Sequence, residues 1–503
     1  MKILRRIVVS IFAFTFLAGP ASARDLEKMV VEHTLANGLK LLLLKRDSSP
    51  TVATSIMFKT GSIDEETGYT GIAHFLEHML FKGTKTLGTK DFKGEEPLLR
   101  KIEKVGEALD LERLKGTNGS NREVLRLERE LKELQDKHKK FVIKDEFAEI
   151  YSKNGGVGYN AWTSSDVTSY IIRLPSNKLE LWAGIESDRM KNPVLREFYQ
   201  ERDVIVEERR SSYDNSPGGS LYENMLSTAF KASPYSHPTI GWPSDIRFLP
   251  KKKVERFLKT YYAPNNCVIS IVGDIDPQTI IAMVELYFGD IPKRELPQKR
   301  FTKEPVQAGE RRTQVEFDAN EQVMIAFHKP TMPHDDDYVF DVIDFLLSGG
   351  RTSRLYKRLV LEDKIAVSAS TFGAPGSRLD NLFLISAVPR APHTVAEIEK
   401  VIYEELEKLK KVPVPRREIE KILNKLEAEK IKKMRSNSGM ASELSYYQTV
   451  GGDWRYTVQY LDNVKKVTPE KIIRTAKKYL TKKNRTVATL VKKKKKNSKQ
   501  EPL

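Results

Sequence analysis

Along this chain, runs that alternate apolar and polar positions are interleaved with runs that repeat every three to four residues. Asn37-Gly38 separates His33-Thr34-Leu35 from Leu39-Lys40-Leu41-Leu42-Leu43-Leu44, and two such runs around Asn-Gly predict a β-hairpin. Val52, Thr54, Ile56 and Phe58 alternate with Ala53, Ser55 and Met57, which predicts a largely buried strand. A helix is predicted over residues 71–81, and a strand over 267–272 that enters a turn at Gly273-Asp274. Residues 292–312 are rich in Pro, Lys, Arg and Glu and lack apolar periodicity, so they read as a linker. Beyond them the order repeats, with strands at 322–327 and 382–388 and helices at 337–347, 416–433 and 469–480. Two halves of this kind, 24–291 and 313–490, predict an α+β pair of related domains, each a mainly antiparallel sheet layered with helices.

One stretch breaks the repeat. Leu98, Ile102, Val105 and Leu109 recur at helical spacing, as do Val124, Leu127, Leu131 and Leu134. Gly116-Thr117-Asn118-Gly119 lies between them, and Ser120 with Glu123 has the spacing of a capping box. Residues 95–140 are therefore expected to form an inserted, charged helical hairpin, either a surface ornament or a contact for a partner or substrate.

The N-terminus carries a different signal. Lys2, Arg5 and Arg6 precede an apolar run over residues 7–19, and Ala21-Ser22-Ala23 follows. This is the order of a cleavable secretory signal over residues 1–23, with a retained membrane anchor as the alternative, and no later run is apolar for long enough to span a bilayer. The formal charge of +17 is uneven. Three bases in the first 23 residues, and six lysines against one glutamate in the tail 491–503, leave the body near +9. That excess is modest and no basic, aromatic-rich module accompanies it, which argues against nucleic acid as a partner. Cys267 is the single cysteine, so no intrachain disulfide forms, and its apolar run marks it as a core strand residue.

The chemistry gathers at His74-Phe75-Leu76-Glu77-His78. Four residues apart on a helix, both imidazoles reach one ion, while Glu77 stands beside it without ligating. Zinc bound by two histidines needs a third protein ligand and keeps an open position for water, whose proton a nearby carboxylate takes. Taken alone, the pattern also fits an ordinary surface helix.

The surroundings are more specific. The segment 71–84, Gly-Ile-Ala-His-Phe-Leu-Glu-His-Met-Leu-Phe-Lys-Gly-Thr, closely resembles the zinc helix of the pitrilysin-type (M16) metallopeptidases. The resemblance extends over roughly residues 30–490. Asn160-Ala161-Trp162-Thr163-Ser164 with Tyr170 resembles the family's edge strand, and residues 201–208 its third-ligand helix. Tyr262-Ala263-Pro264-Asn265-Asn266 and Gly273-Asp274 match the end of its first domain, and Gly349-Gly350 through Leu355 its second.

The resemblance implies Zn2+ held by His74, His78 and Glu208, with Glu77 as general base and then acid. Glu201 would be a supporting acid, and Glu207 would point away. Asn160, Ala161 and Trp162 would offer backbone hydrogen bonds to an extended peptide. It further implies a zinc endopeptidase of the inverted HxxEH type acting on unfolded or extended peptides, and the export signal predicts that it acts in a periplasm. The alternative is a non-catalytic scaffold or assembly subunit. Two departures stand out. His78 and Glu208 lie 130 positions apart, longer than the family usually has, and the inserted hairpin accounts for the excess. Active single-chain relatives also carry an Arg and a Tyr seven apart in the second domain, where alignment through Ser353-Arg354-Leu355 puts Val360 and Val367. Neither valine donates a hydrogen bond. The expectation is therefore a heterodimer whose zinc-less, homologous partner chain supplies the Arg/Tyr pair, with Arg354 or Arg358 as local substitutes otherwise.

Overall fold

A computed structural model of the chain describes residues 23–298 and 301–493. The expected signal segment up to residue 22, and the tail beyond Lys493, lie outside the described residues. Six strands of the first half form one sheet: β1 (Val30–Thr34), β2 (Lys40–Lys45), β3 (Thr51–Phe58), β4 (Val157–Thr163), β5 (Thr168–Pro175) and β6 (Cys267–Gly273). Its order is β1-β2-β6-β3-β5-β4. β1 and β2 pair across the predicted turn, where Gly38 takes φ 87°. The second sheet contains β7 (Arg311–Phe317), β8 (Gln322–Lys329), β9 (Ala366–Ala374), β10 (Asn381–Pro389) and β11 (Arg485–Lys492). Its order is β7-β11-β8-β10-β9. The parallel pairs are β2–β6 and β7–β11; the other neighbours run antiparallel. Strands β2-β6-β3-β5-β4 thus repeat in β7-β11-β8-β10-β9, and the chain is the expected pair of related α+β domains.

The repeated apolar runs are explained by what covers each face. In the first sheet, Leu41, Leu43, Ile56 and Ile269 pack on helices of their own half, with Phe75, Leu76 and Trp182. On the opposite face Leu42, Leu44, Ala53, Val268 and Val272 meet Met440, Ala441, Leu444 and Trp454 from the second half. The exchange is reciprocal. Helix Pro217–Ala229 of the first half buries Leu221, Met225, Leu226 and Ala229 against Met324, Ala326, Leu382, Leu384, Ala488 and Leu490. Strands covered on both faces read as continuous apolar runs rather than strict alternation. Cys267 is buried in β6.

The join between the halves is therefore more than a linker. β7 begins at Arg311, inside the stretch expected to be linker. Glu304 accepts the backbone N–H groups of Lys231, Ala232 and Ser233 at 2.9–3.0 Å, and Gln307 donates to the Arg485 carbonyl at 2.7 Å.

The inserted hairpin consists of helices Phe92–Leu114 and Asn121–His138. Its inner seam, Ile102, Val105, Leu109, Leu127 and Leu131, joins Leu195, Phe198 and Tyr199 in the first domain's core, so it is built into the body rather than laid on it. The expected capping box is half made. Ser120 Oγ accepts from Glu123 N at 3.3 Å, but Ser120 N donates to Glu112 at 2.6 Å and Glu123 turns to Arg126. Fully buried Arg196 clamps the hairpin's base, donating to Glu95 at 2.7 and 3.0 Å, and Glu95 also accepts from His138 at 2.7 Å. No helix among the described residues is long and apolar enough to cross a membrane.

Candidate metal centre and substrate strand

Helix Ile72–Met79 buries Ile72, Ala73, Phe75, Leu76 and Met79, which leaves His74 and His78 together on another stripe. Its start is fixed in two ways. Gly71 has φ 89°, and a Cβ there would lie 2.3 Å from the Ile240 carbonyl oxygen, so only glycine fits. The Glu65 carboxylate accepts Gly71 N at 2.8 Å and Ala73 N at 2.9 Å, satisfying donors that a helix start leaves unpaired. Phe75 packs against Phe198 of helix Phe198–Arg209, with ring centroids 4.9 Å apart. That contact sets the second helix, with Glu208, across from the two imidazoles.

His74 Nε2 lies 3.6 Å from one Glu208 oxygen and His78 Nε2 lies 3.5 Å from the other. Ligand atoms of the three residues all fall within 4.8 Å of one another. Around a tetrahedral ion with bonds of ~2.0–2.1 Å, ligand atoms sit about 3.3–3.4 Å apart. Two imidazoles and a carboxylate suit zinc in kind and number, and the two His–Glu208 separations are close to those of a tetrahedral site. Burial, then the nearby His78 charge, push His74 down to about 3, which keeps it in the neutral, ligating form. Glu207, adjacent to Glu208, points to solvent and pairs with Arg210 at 2.6 Å.

Behind His78 stands a line of charges. His78 Nδ1 donates to Glu201 at 2.9 Å, and Lys82, one turn further along, reaches Glu201 at 2.6 Å and Glu197 at 3.5 Å. Burial works against the charged form of Glu201, but the bonds from His78 and Lys82 outweigh it and hold the carboxyl below its ordinary range. Burial would likewise lower His78, yet the bond and charge of Glu201, with Glu208 and Glu77, raise it. Glu197 carries no periodic or motif signal; Lys82 lies in the segment that resembles the zinc helix, but only its i,i+4 step from His78 points to this role.

Glu77 is buried beside the three, and burial followed by the Glu208 charge pushes its carboxyl up against the Thr163 bond and the His78 charge. Thr163 donates to Glu77 Oε2 at 2.6 Å. Thr163 ends β4, the strand that also carries Asn160, Ala161 and Trp162. β4 pairs only with β5 among the described residues, leaving its other edge open, and such an edge is a template for another strand. Asn160 is exposed, Trp162 half-buried and Ala161 buried. A bulge between Val157 and Asn160, with Gly158 at φ 69°, bends the strand's start. A cleft of about 530 Å³ runs from Glu77, His78 and Glu201 past Asn160 to residues 142–145, which follow the inserted hairpin.

The second half has no such centre among the described residues. Its counterpart helix, Asp335–Ser348, carries Asp337, Asp341 and Asp344 on one side, tied to Lys329, Tyr460 and Thr371. Val360 is buried and Val367 is 57% exposed on β9. Arg354 is bound to Glu418 at 2.8 Å, and Arg358 to Glu404 and Glu405 at 2.6 and 3.0 Å.

Comparison with known proteins gives the same outline. The family model described as insulinase (peptidase family M16) matches residues 41–110 and 134–242, so the interruption falls in the inserted hairpin. The one described as the peptidase M16 inactive domain matches residues 249–426. The chain is 29% identical to the zinc protease PqqE of Helicobacter pylori, over 85% of this chain and 86% of that one. It is 23% identical to an uncharacterized zinc protease of Rickettsia bellii, over 87% and 89%. Among solved structures, a protease from Helicobacter pylori superposes with a TM-score of 0.76 at 27% identity, covering 92% of this chain and 99% of that one. The periplasmic protease PqqL of Escherichia coli shares the fold at TM-score 0.68 and 16% identity, with this chain covering 48% of its length. Two M16 domain models in the family's order, together matching most of the chain, show that this protein belongs to the insulinase family of peptidases, M16.

Proposed function

We propose that the protein is a zinc-dependent endopeptidase that cuts unfolded or extended peptides. The observation that carries this reading is the convergence of His74, His78 and Glu208 beside Glu77 and an open strand edge. A scaffold has no use for that constellation. His74, His78 and Glu208 would hold a zinc ion, which when bound would supply acidification of a water and polarisation of a carbonyl.

The chain's own residues do the rest. The exposed edge of β4 pairs with the substrate backbone and lays it across the cleft. Glu77 takes the proton of the attacking water and returns it to the departing amine nitrogen as the peptide C–N bond breaks. Thr163 holds one oxygen of Glu77 at 2.6 Å, which fixes the carboxylate through that exchange. Glu201 fixes the imidazole of His78 from behind at 2.9 Å, a positioning role.

The reading includes a partner. Charge develops on the scissile carbonyl as water adds, and donors near it are worth ~10²–10³ in rate each. Val360 and Val367 supply none, and Arg354 and Arg358 are engaged in ion pairs of their own half. A homologous, zinc-less chain carrying an Arg/Tyr pair would complete the site; a second copy would bring the same valines. The charged, apolar and small-residue order of residues 1–23 supports export to a periplasm. Zinc content and turnover of a mixed peptide library, measured for the chain alone and with its partner, test the whole reading. A chain that neither binds zinc nor cleaves in either state would leave the scaffold as the function.

A further inference from the structure

We propose that Arg378, a residue of the second half, is a positioning residue for the peptidase site in the first. The inference rests on the peptidase reading above. Arg378 lies in the turn between β9 and β10, and that turn docks on the turn that joins β4 to β5. Its guanidinium donates to Asp64 at 3.2 Å and to the Asp166 carbonyl at 3.3 Å. Its backbone N–H, with that of Ser377, donates to the Asp166 carboxylate, whose other oxygen accepts from Tyr235 at 2.6 Å. Asp64, Asp166 and Tyr235 are all buried. The approach is so close that a Cβ on Gly376 would lie 2.5 Å from the Tyr235 hydroxyl oxygen and 2.6 Å from an Asp166 oxygen.

Both anchors lead directly to the site. Asp64 precedes Glu65, whose carboxylate caps the first N–H groups of the helix bearing His74, Glu77 and His78. Asp166 sits in the β4–β5 turn, three residues beyond Thr163, the side chain that holds Glu77. The two anchors are also joined to each other, Ser62 N to Ser164 O at 3.2 Å and Ile63 N to Ser165 O at 3.0 Å. One guanidinium thus ties the start of the metal helix to the end of the substrate strand. Charge-assisted bonds between buried groups are the strong ones, and a small misplacement of a reacting group is costly in rate.

The test uses full-length Arg378→Ala and Arg378→Lys, with Arg46→Ala as control. Arg46 also bridges the halves, donating to the Met434 and Arg435 carbonyls at 3.0 and 3.1 Å, but from the β2 end of the sheet, far from β4. In Arg378→Ala, amide exchange over residues 61–80 and 157–167 should be at least ~10-fold faster, the factor expected from one lost charge-assisted bond. Zinc content should stay full, and kcat should fall ~10-fold or more with KM within about twofold. Arg378→Lys should recover part of both, and Arg46→Ala should show neither. Wild-type exchange in those segments, wild-type kcat, or the same pattern from Arg46→Ala overturns the proposal. If Arg378→Ala does not fold, Asp166→Asn must reproduce the local loosening. A wild type without turnover, both alone and with its partner, refutes only the peptidase reading, and the exchange pattern still decides the positioning.

Discussion

Three glutamates of one helix should differ sharply in what their loss does to zinc. Glu201→Gln keeps the shape and one acceptor for His78 but removes the charge that His78 and Lys82 meet at 2.9 and 2.6 Å. Partners behind a ligand are typically worth ~10–100-fold in metal affinity, or about 1.4–2.8 kcal/mol. Glu208→Gln removes the anionic member of the triad itself, so its loss should exceed that of Glu201→Gln. Glu207, with its side chain 64% exposed and paired with Arg210, should change affinity less than about twofold on conversion to Gln. Competition with a chelator of known affinity, alongside circular dichroism to show that each variant is folded, gives the three numbers. Glu207→Gln as the damaging change, or an unaltered affinity in Glu201→Gln, would refute the assignment.

Glu77→Gln should cut hydrolysis by ~10²–10⁴ while zinc content stays that of the wild type; metal loss as severe as in His78→Ala would remove Glu77 from the proton-transfer role. The purified chain should bind zinc yet cleave peptides slowly, and a homologous zinc-less partner should raise the rate by ~10²–10³; full activity of the chain alone would turn attention back to Arg354 and Arg358. Burial and the Asp337 charge push Asp341 up to about 7 from an ordinary 3.8, so the native state holds this proton more tightly and its contribution to stability is lost as pH rises towards 7. Asp341→Asn should match the wild type near pH 4 and be more stable at pH 8 by ~1–3 kcal/mol, allowing for screening of a partly exposed group, in urea melts; a difference independent of pH would refute the cause.

What was legible in the sequence was local. His74 and His78 share a helix stripe because four residues make about one turn, and the Asn37-Gly38 hairpin needs only its own turn. Glu208 is different: 130 positions from His78, it was reached through family resemblance and not through spacing. The roles of Thr163, Lys82, Glu65 and Arg378 are not legible in the sequence, because a single polar side chain has no period. Their partners are set by how helix, strand and the second half meet. The exchanged helices were hidden for a related reason. Leu41-Leu42-Leu43-Leu44 announces a strand covered on both faces, but not that the second cover, Met440 and Leu444, comes from some four hundred residues away. Composition alone does not show that the segment 292–312 is pinned, since Glu304, which holds it to Lys231, Ala232 and Ser233, looks like any solvated acidic residue.

The exchange also accounts for keeping a second half whose described residues hold no candidate metal centre. Removing it would uncover Leu42, Leu44, Ala53, Val268 and Val272 on the first sheet, and would leave Leu221, Met225 and Leu226 without a partner. Full burial of one large aliphatic side chain is worth ~1.5–3 kcal/mol, and a domain's whole margin is about 5–15 kcal/mol. The apolar surface shared between the halves is thus of the same order as the stability of either, and the first half cannot keep its site in shape alone. That requirement falls on the faces of the sheets and on the turn bearing Arg378. It makes no demand on the helix Asp335–Ser348, which occupies the place of the metal helix. That helix carries carboxylates bound to Lys329, Tyr460 and Thr371, whereas the first half's helix carries imidazoles. The two halves could therefore diverge in chemistry without diverging in topology, because packing constrains one set of positions and the proposed metal site another.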